Sequence, residues 1–187
     1  MFAHADFTSA ISNATAQLRE AEAALNKLAC PNIVELTIRL RDLSQDKIEE
    51  ILEEVPTGYA KKDKEADFVY VIQVPDGDAE TISQLRILLE GARRAANDYS
   101  RLNPGHEGTK TIYVGRSKTL RARLRQHLGG ESQGVFSLHL SRWGTSVDLT
   151  LAIYFMRFTN ADDLLVQAVE DGIWASLRPA FGRKGEK

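Results

Sequence analysis

The sequence has only one cysteine and no long apolar run. Cys30 stands alone among 187 residues, which excludes an internal disulfide and a cysteine-rich zinc site. Apolar stretches such as residues 151–156 are only a few residues long, and a transmembrane helix needs about 20. The first six residues contain neither a basic segment nor a long apolar one, so no signal peptide is visible. We therefore expect a cytoplasmic protein without a membrane segment.

Three common catalytic signatures are also missing. Residues 115–119 (GRSKT) superficially match a phosphate-binding loop, but Ser117 stands where that loop needs a glycine before the lysine. This departure excludes nucleoside-triphosphate hydrolysis of that kind. The four histidines lack a metal-binding spacing, which argues against zinc. A Gly-x-Ser-x-Gly nucleophile elbow is absent as well.

The charge is unevenly distributed along the chain. The formal net charge is −2, but residues 1–108 hold 12 basic and 19 acidic side chains, whereas residues 109–187 hold 12 and 7. A polyanion is therefore expected to meet the C-terminal part of the chain. The alternative is that the charges form an ordinary solvated surface.

Hydrophobic periodicity predicts alternating helices and strands. The predicted helices cover residues 7–29, 45–55, 78–99, 120–128 and 161–177. The predicted strands cover residues 33–40, 67–74, 110–115 and 148–158. This order favours an α+β fold, in which helices flank a small mixed or antiparallel sheet and extra helices precede it.

The segment after the third predicted strand carries polar residues at distinctive spacings. Residues 113–115 (YVG) end the strand, and the basic residue Arg116 follows three positions after the tyrosine. Arg123 lies ten positions after the tyrosine on a predicted helix, with His127 one turn further on. This pattern resembles the second signature of the GIY-YIG nucleases.

Two further places extend the resemblance. Residues 68–70 (FVY) look like the first signature of the family with its glycine replaced, so Tyr70 matches the other tyrosine. Glu170 lies nine residues before Pro179, the spacing of the metal-binding glutamate of the family. Gly182 stands where the family has asparagine.

The resemblance implies a division of the chain. Residues 61–187 would form a GIY-YIG-like nuclease domain, with an inserted helix at about 75–110. Residues 1–60 would form an N-terminal extension that contains helices and a strand.

The resemblance also implies a phosphodiester-hydrolysing site with one divalent ion, Mg²⁺ or Mn²⁺. Glu170 would hold this ion, which bridges to the scissile phosphate. Arg123 would neutralise the charge that develops on the phosphoryl oxygens. A structural alternative for Glu170 is a salt bridge to a nearby arginine.

A tyrosine is the implied general base. Tyr113 or Tyr70 would take a proton from the attacking water, although a phenol with a pKa near 10 is a poor base unless its surroundings lower that pKa. Arg116 and His127 are the candidates for this effect, and His127 is alternatively a proton relay from Tyr70. Strand tyrosines that only pack are the structural alternative.

Nearby basic residues are candidates for DNA binding. Lys118, Arg121 and Arg125 flank one side of the leucine stripe on helix 120–128, where they can face a backbone phosphate. Base contacts are expected from two segments, residues 75–110 and residues 129–146, the second of which contains Arg142.

We therefore expect a metal-dependent endonuclease that cuts DNA, either of the restriction type or a stand-alone nuclease. The alternatives are a non-catalytic nucleic-acid-binding module of the same fold and a protein-interaction scaffold. A homodimer is compatible with the sequence, and so is a protein partner at the acidic N-terminal region.

Overall fold

The computed structural model describes residues 4–57, 66–95, 98–104, 108–129 and 135–184. Its helices are α1 (His4–Leu25), α2 (Gln45–Glu53), α3 (Ala79–Ala95), α4 (Leu120–Leu128), α5 (Leu140–Trp143) and α6 (Asp163–Leu177), with a short 3₁₀ helix at Leu40–Asp42. Its strands are β1 (Ile33–Arg39), β2 (Ala66–Gln73), β3 (Thr111–Ser117) and β4 (Thr150–Thr159). Within the described residues, no helix is both long and apolar enough to cross a bilayer.

The four strands form one antiparallel sheet in the order β1-β4-β2-β3. The predicted α+β class is therefore confirmed, and the sheet is antiparallel rather than mixed. β1 pairs with β4 from Ile33 opposite Met156 to Arg39 opposite Thr150. The sheet thus includes a strand from the predicted N-terminal extension, and the division near residue 60 stays a prediction.

Both faces of the central strand β2 are covered, which explains its almost continuous apolar sequence. Phe68, Tyr70 and Ile72 point into the larger core, which also contains buried residues of α2, α3 and α4. Val69 points to the opposite face, where it packs with Val166 of α6. The sheet is therefore held between α6 on one side and the other core helices on the other, and Tyr70 lies in the larger core.

Helix α4 is docked onto α2 by its basic residues. The Arg125 guanidinium forms an ion pair with Glu49 at 2.6 Å, and Arg121 Nε donates to the main-chain carbonyl of Val55 at 2.7 Å. The acidic helix α2 thus faces a basic helix of its own chain. The expected contact of Arg121 and Arg125 with DNA stays a prediction, but both guanidinium groups already hold the fold together.

Most predicted element boundaries agree with the structure to within a few residues, with two differences. The helix predicted over 78–99 ends at Ala95, and Tyr99 instead forms a parallel bridge with Ser137. The short helix α5 was not predicted, and the indole of Trp143 ties it to the carbonyl of Leu138 at 2.6 Å. By contrast, the helix over 120–128 is confirmed at both ends, because Gly129 adopts a φ of +123° and ends it.

Candidate active site

Two tyrosines from neighbouring strands form the floor of the site. Tyr70 of β2 and Tyr113 of β3 stack with ring centroids 6.0 Å apart and planes inclined by 13°. Gly115 lies opposite Tyr70 in the strand register. A Cβ atom at position 115 would lie 2.6 Å from Tyr70 Oη and 2.8 Å from Tyr113 Cε1. The glycine of the YVG segment is therefore needed because any side chain would separate the two rings.

His127 contacts Tyr70 in the interior of the protein. Both side chains are fully buried, and His127 Nε2 lies 2.9 Å from Tyr70 Oη. The main-chain N–H of Leu138 donates to His127 Nδ1 at 3.2 Å, so Nδ1 is the unprotonated nitrogen of the neutral ring. Nε2 therefore carries the hydrogen and donates it to the Tyr70 oxygen.

This tautomer changes the expected role of His127. With both ring nitrogens engaged, His127 presents no lone pair to Tyr70, which contradicts the relay alternative. Burial, followed by the charge of Tyr113, raises the pKa of Tyr70 well above its ordinary value. The expectation that the surroundings lower this pKa is wrong for Tyr70, and its hydroxyl is protonated at neutral pH.

Arg123 joins α4 to the tyrosine pair. Its Nη2 atom donates to Tyr113 Oη at 3.1 Å and to the carbonyl of Phe136 at 3.1 Å. Burial lowers the pKa of Arg123, but the hydroxyls of Tyr70 and Tyr113 raise it by more. The guanidinium therefore remains a cation at the edge of the site.

Glu170 approaches the same site from α6. Its side chain is buried, with 7% of its surface exposed, and Gln167 Nε2 donates to Oε2 at 3.0 Å. Burial raises the pKa of this carboxyl. Among the described residues, no basic group lies within salt-bridge distance of Glu170. The structural alternative for Glu170, a salt bridge to an arginine, is therefore not found among the described residues.

The Arg116 guanidinium forms ion pairs with two acidic side chains, Asp67 and Asp163. Its Nε and Nη2 atoms donate to Asp67 Oδ2 at 2.8 and 2.5 Å, and Nη2 also pairs with Asp163 at the start of α6. Nη1 reaches Gln167 Oε1 at 3.4 Å, next to Glu170. Arg116 thus clamps β2 and β3 to α6 and positions Glu170 through Gln167. The sequence reasoning missed Asp67, a buried acid.

The four predicted DNA-binding residues do not line this site. Lys118 Nζ forms an ion pair with Asp163 Oδ1 at 3.4 Å, and Arg142 Nη1 forms one with Asp98 Oδ2 at 3.2 Å. Arg121 and Arg125 are held on α2. Their roles stay predictions, but the structure brings together only the tyrosines, Arg116, Arg123, His127 and Glu170.

These side chains surround an open cavity of about 390 Å³. Its lining residues include six basic side chains and one acidic side chain; they are Arg93, Arg101, Arg116, Arg123, Arg183, Lys184 and Glu170. Four of the basic residues were not predicted, namely Arg93, Arg101, Arg183 and Lys184. The neighbouring basic pairs at 93–94 and 183–184 were the available signal. Such an excess of positive charge favours a ligand with phosphate groups.

Gly182, which stands where an asparagine was expected, lines the cavity beside Tyr113. Its φ is +95°, and a Cβ atom there would lie 2.7 Å from Tyr113 Cε2. An asparagine cannot occupy this position without displacing the ring. Arg101 Nε instead donates to the Gly182 carbonyl at 3.2 Å and fixes the chain after α6.

No protein-family model, curated protein or solved structure matches the chain.

The burial of His127 predicts a loss of stability in mild acid. Burial, followed by the charge of Arg123, holds the pKa of His127 well below its ordinary value of 6.5. Below pH 6.5 the unfolded chain therefore binds a proton that the folded protein excludes. The free energy of unfolding should then fall with decreasing pH, by at most about 1.4 kcal/mol per pH unit for this group.

Urea denaturation of the wild type and of His127→Gln, between about pH 7.5 and pH 5.5, measures this contribution. The variant should lose less stability over this interval, because glutamine does not titrate. His139, whose pKa is also lowered, acts in the same direction in both proteins. Equal pH dependence in the two proteins would show that His127 is protonated in the folded state.

Proposed function

We propose that this protein is a metal-dependent endonuclease of the GIY-YIG kind that hydrolyses phosphodiester bonds in DNA. The observation that carries the proposal is the meeting of Tyr70, Tyr113, Arg123 and Glu170 around one basic cavity. These residues come from β2, β3, α4 and α6. Phosphodiester hydrolysis needs a base for water, a cation for the phosphoryl oxygens and a ligand for a divalent ion. The cavity offers each of them.

Glu170 is suited to a magnesium site with few protein ligands. The described residues contain no group of three or more metal-ligating side chains, but Mg²⁺ commonly keeps several waters and uses one or two carboxylates with substrate phosphates. Among the described residues, the Glu170 carboxylate has only an amide as its hydrogen-bond partner, and it faces the cavity. Mg²⁺ or Mn²⁺ held there would supply charge neutralisation at the scissile phosphate.

The protein side chains then have separate roles. Arg123, a cation beside Tyr113, binds a phosphoryl oxygen and stabilises its developing charge. Tyr70 accepts a hydrogen bond from His127 and keeps its own proton, so it donates to the substrate. Tyr113, which lines the cavity, is left as the general base for the attacking water. Arg116 acts through Gln167 as a positioning residue for Glu170.

Supercoiled plasmid DNA provides the first test of this function. With Mg²⁺, the protein should convert supercoiled plasmid to nicked or linear forms, and an excess of EDTA should stop the conversion. Restoring activity with added Mn²⁺ would distinguish metal removal from denaturation. Equal cleavage with and without EDTA would contradict the metal role, and DNA binding without any cleavage would favour the second candidate.

The second candidate is a non-catalytic DNA-binding module. It is favoured by Gly182, which leaves the site without the expected asparagine and cannot be exchanged for one without moving Tyr113. A protein partner or a homodimer stays a prediction. Helix α1 has the exposed apolar side chains for either, Phe7, Ile11 and Leu18.

A further inference from the structure

The basic cavity continues into an open groove along α3. This groove has a volume of about 600 Å³, and four arginines line it with Glu90; they are Arg86, Arg93, Arg94 and Arg101. Arg93 and Arg101 also line the cavity that contains Glu170. The cavity and the groove therefore form one surface that leads from the candidate active site along α3, the inserted helix.

Three of the arginines in this groove donate hydrogen bonds to groups that carry no compensating negative charge. Arg93 Nη1 donates to the carbonyl of Ser100 at 3.2 Å, and Arg86 Nη1 donates to the carbonyl of Asn103 at 2.7 Å. Arg101 is bonded to the Asn103 side-chain amide and the Gly182 carbonyl. All these acceptors are uncharged. Hydrogen bonds of this kind orient a guanidinium without neutralising it.

Within the part of the chain that the structure describes, Arg94 is the one groove arginine with an acidic partner. Its Nη2 atom lies 3.5 Å from Glu90, and its side chain is 79% exposed. An exposed pair of this kind contributes little and is readily exchanged. Arg116 and Arg125, by contrast, form ion pairs of 2.5 and 2.6 Å with carboxylates. Within the described residues, Arg86, Arg93 and Arg101 thus bond to uncharged groups beside the groove, whereas Arg121 and Arg125 of α4 are directed onto α2.

The helix dipole alone does not account for this arrangement. Basic residues in the last turn of a helix interact favourably with the helix dipole, and Arg93 and Arg94 occupy that turn of α3. Arg93, however, bonds to Ser100 beyond the helix. Arg86 lies two turns earlier, and Arg101 lies outside the helix. The dipole explains at most two of the four charges.

We propose that the DNA backbone runs from the scissile phosphate along the groove of Arg86, Arg93, Arg94 and Arg101, and not across α4. This inference rests on the proposed nuclease function. Arg86 and Arg94 are eight residues apart on α3, which corresponds to about 12 Å along the helix. That length spans about three base steps of one DNA strand. The inserted helix therefore acts as the DNA-binding element next to the site.

Fluorescence anisotropy with a labelled 20-base-pair DNA duplex in EDTA tests this path without any cleavage. The variants are Arg93→Gln/Arg94→Gln and the single variant Arg94→Glu, which changes a side chain that is 79% exposed. The matched control, Arg19→Gln/Lys27→Gln, removes the same charge from exposed positions on or just after α1. The dissociation constant is measured between about 50 and 200 mM salt, the range in which phosphate contacts have a large effect.

Each lost phosphate contact should weaken binding roughly eightfold near 0.1 M salt and reduce the log–log salt slope by about 0.9. The double variant should therefore bind roughly 10- to 60-fold more weakly than the control variant, and Arg94→Glu at least about tenfold. Slopes and affinities equal to those of the control would overturn the path while leaving the nuclease proposal intact. A wild type that does not bind the duplex would overturn both.

Discussion

Replacing Glu170 by glutamine is expected to lower the rate of DNA cleavage by about 10²- to 10³-fold, while the affinity for DNA stays within about twofold. Glutamine keeps the size of the side chain and one oxygen, but it removes the charge that would hold the divalent ion. Binding is preserved because the loss of a negative charge beside a phosphate relieves repulsion. The initial rate of plasmid nicking over a range of Mg²⁺ concentrations measures the effect.

Glu22→Gln is the matched control, because it makes the same exchange at an exposed position of α1, which does not line the cavity. This variant should cut at close to the wild-type rate. Stability provides an independent readout at position 170. Because burial raises the pKa of Glu170, neutralising it should leave the free energy of unfolding at pH 7 unchanged or increased. Wild-type cleavage by Glu170→Gln would make this carboxylate structural, and a loss of about 3–5 kcal/mol would reveal a buried ion pair.

The second large effect is expected at Arg123. Arg123→Ala removes the cation beside Tyr113 and should lower the cleavage rate by at least about 10²-fold, with a further weakening of DNA binding by roughly tenfold. In the proposed mechanism this residue, unlike Glu170, contacts phosphate before the reaction as well as during it. Single-turnover cleavage at saturating protein separates the loss of rate from the loss of affinity.

Arg123→Lys distinguishes charge from geometry at the same position. Lysine keeps the positive charge, but it lacks the planar group that donates to both Tyr113 Oη and the Phe136 carbonyl. Binding should therefore recover largely, and the cleavage rate only partly. Full recovery of the rate by lysine would mean that charge alone is required. An unaltered rate in Arg123→Ala would exclude Arg123 from the reaction.

Local sequence patterns could predict those parts of the fold that depend on neighbouring residues. The leucines at 120, 124 and 128 form one buried stripe, and Gly129 ends the helix, so both boundaries of α4 were predictable. The β-branched and aromatic residues of β2 likewise made that strand predictable. Helix α5 has only four residues, which is too few for a hydrophobic period to be recognised.

The partners of charged side chains could not be predicted in this way. Arg125 and Glu49 are 76 residues apart in the sequence, and a basic helix with a leucine stripe looks the same whether it faces DNA or an acidic helix. Arg93 and Arg101 were missed for a related reason, since they lie in the part of the chain with a net negative charge. Proximity to Glu170 is a property of the tertiary fold and has no local sequence pattern.

Hydrolysis in ¹⁸O-labelled water tests the central claim most directly. The wild type is incubated with a DNA duplex and Mg²⁺ in this water, and the terminal phosphates of the products are analysed by mass spectrometry. Hydrolysis at the proposed site should place one ¹⁸O atom in each new terminal phosphate, with a yield at least about 10²-fold lower for Glu170→Gln or Arg123→Ala. Folded wild-type protein that binds the duplex but produces no labelled phosphate in Mg²⁺ or Mn²⁺ would contradict it.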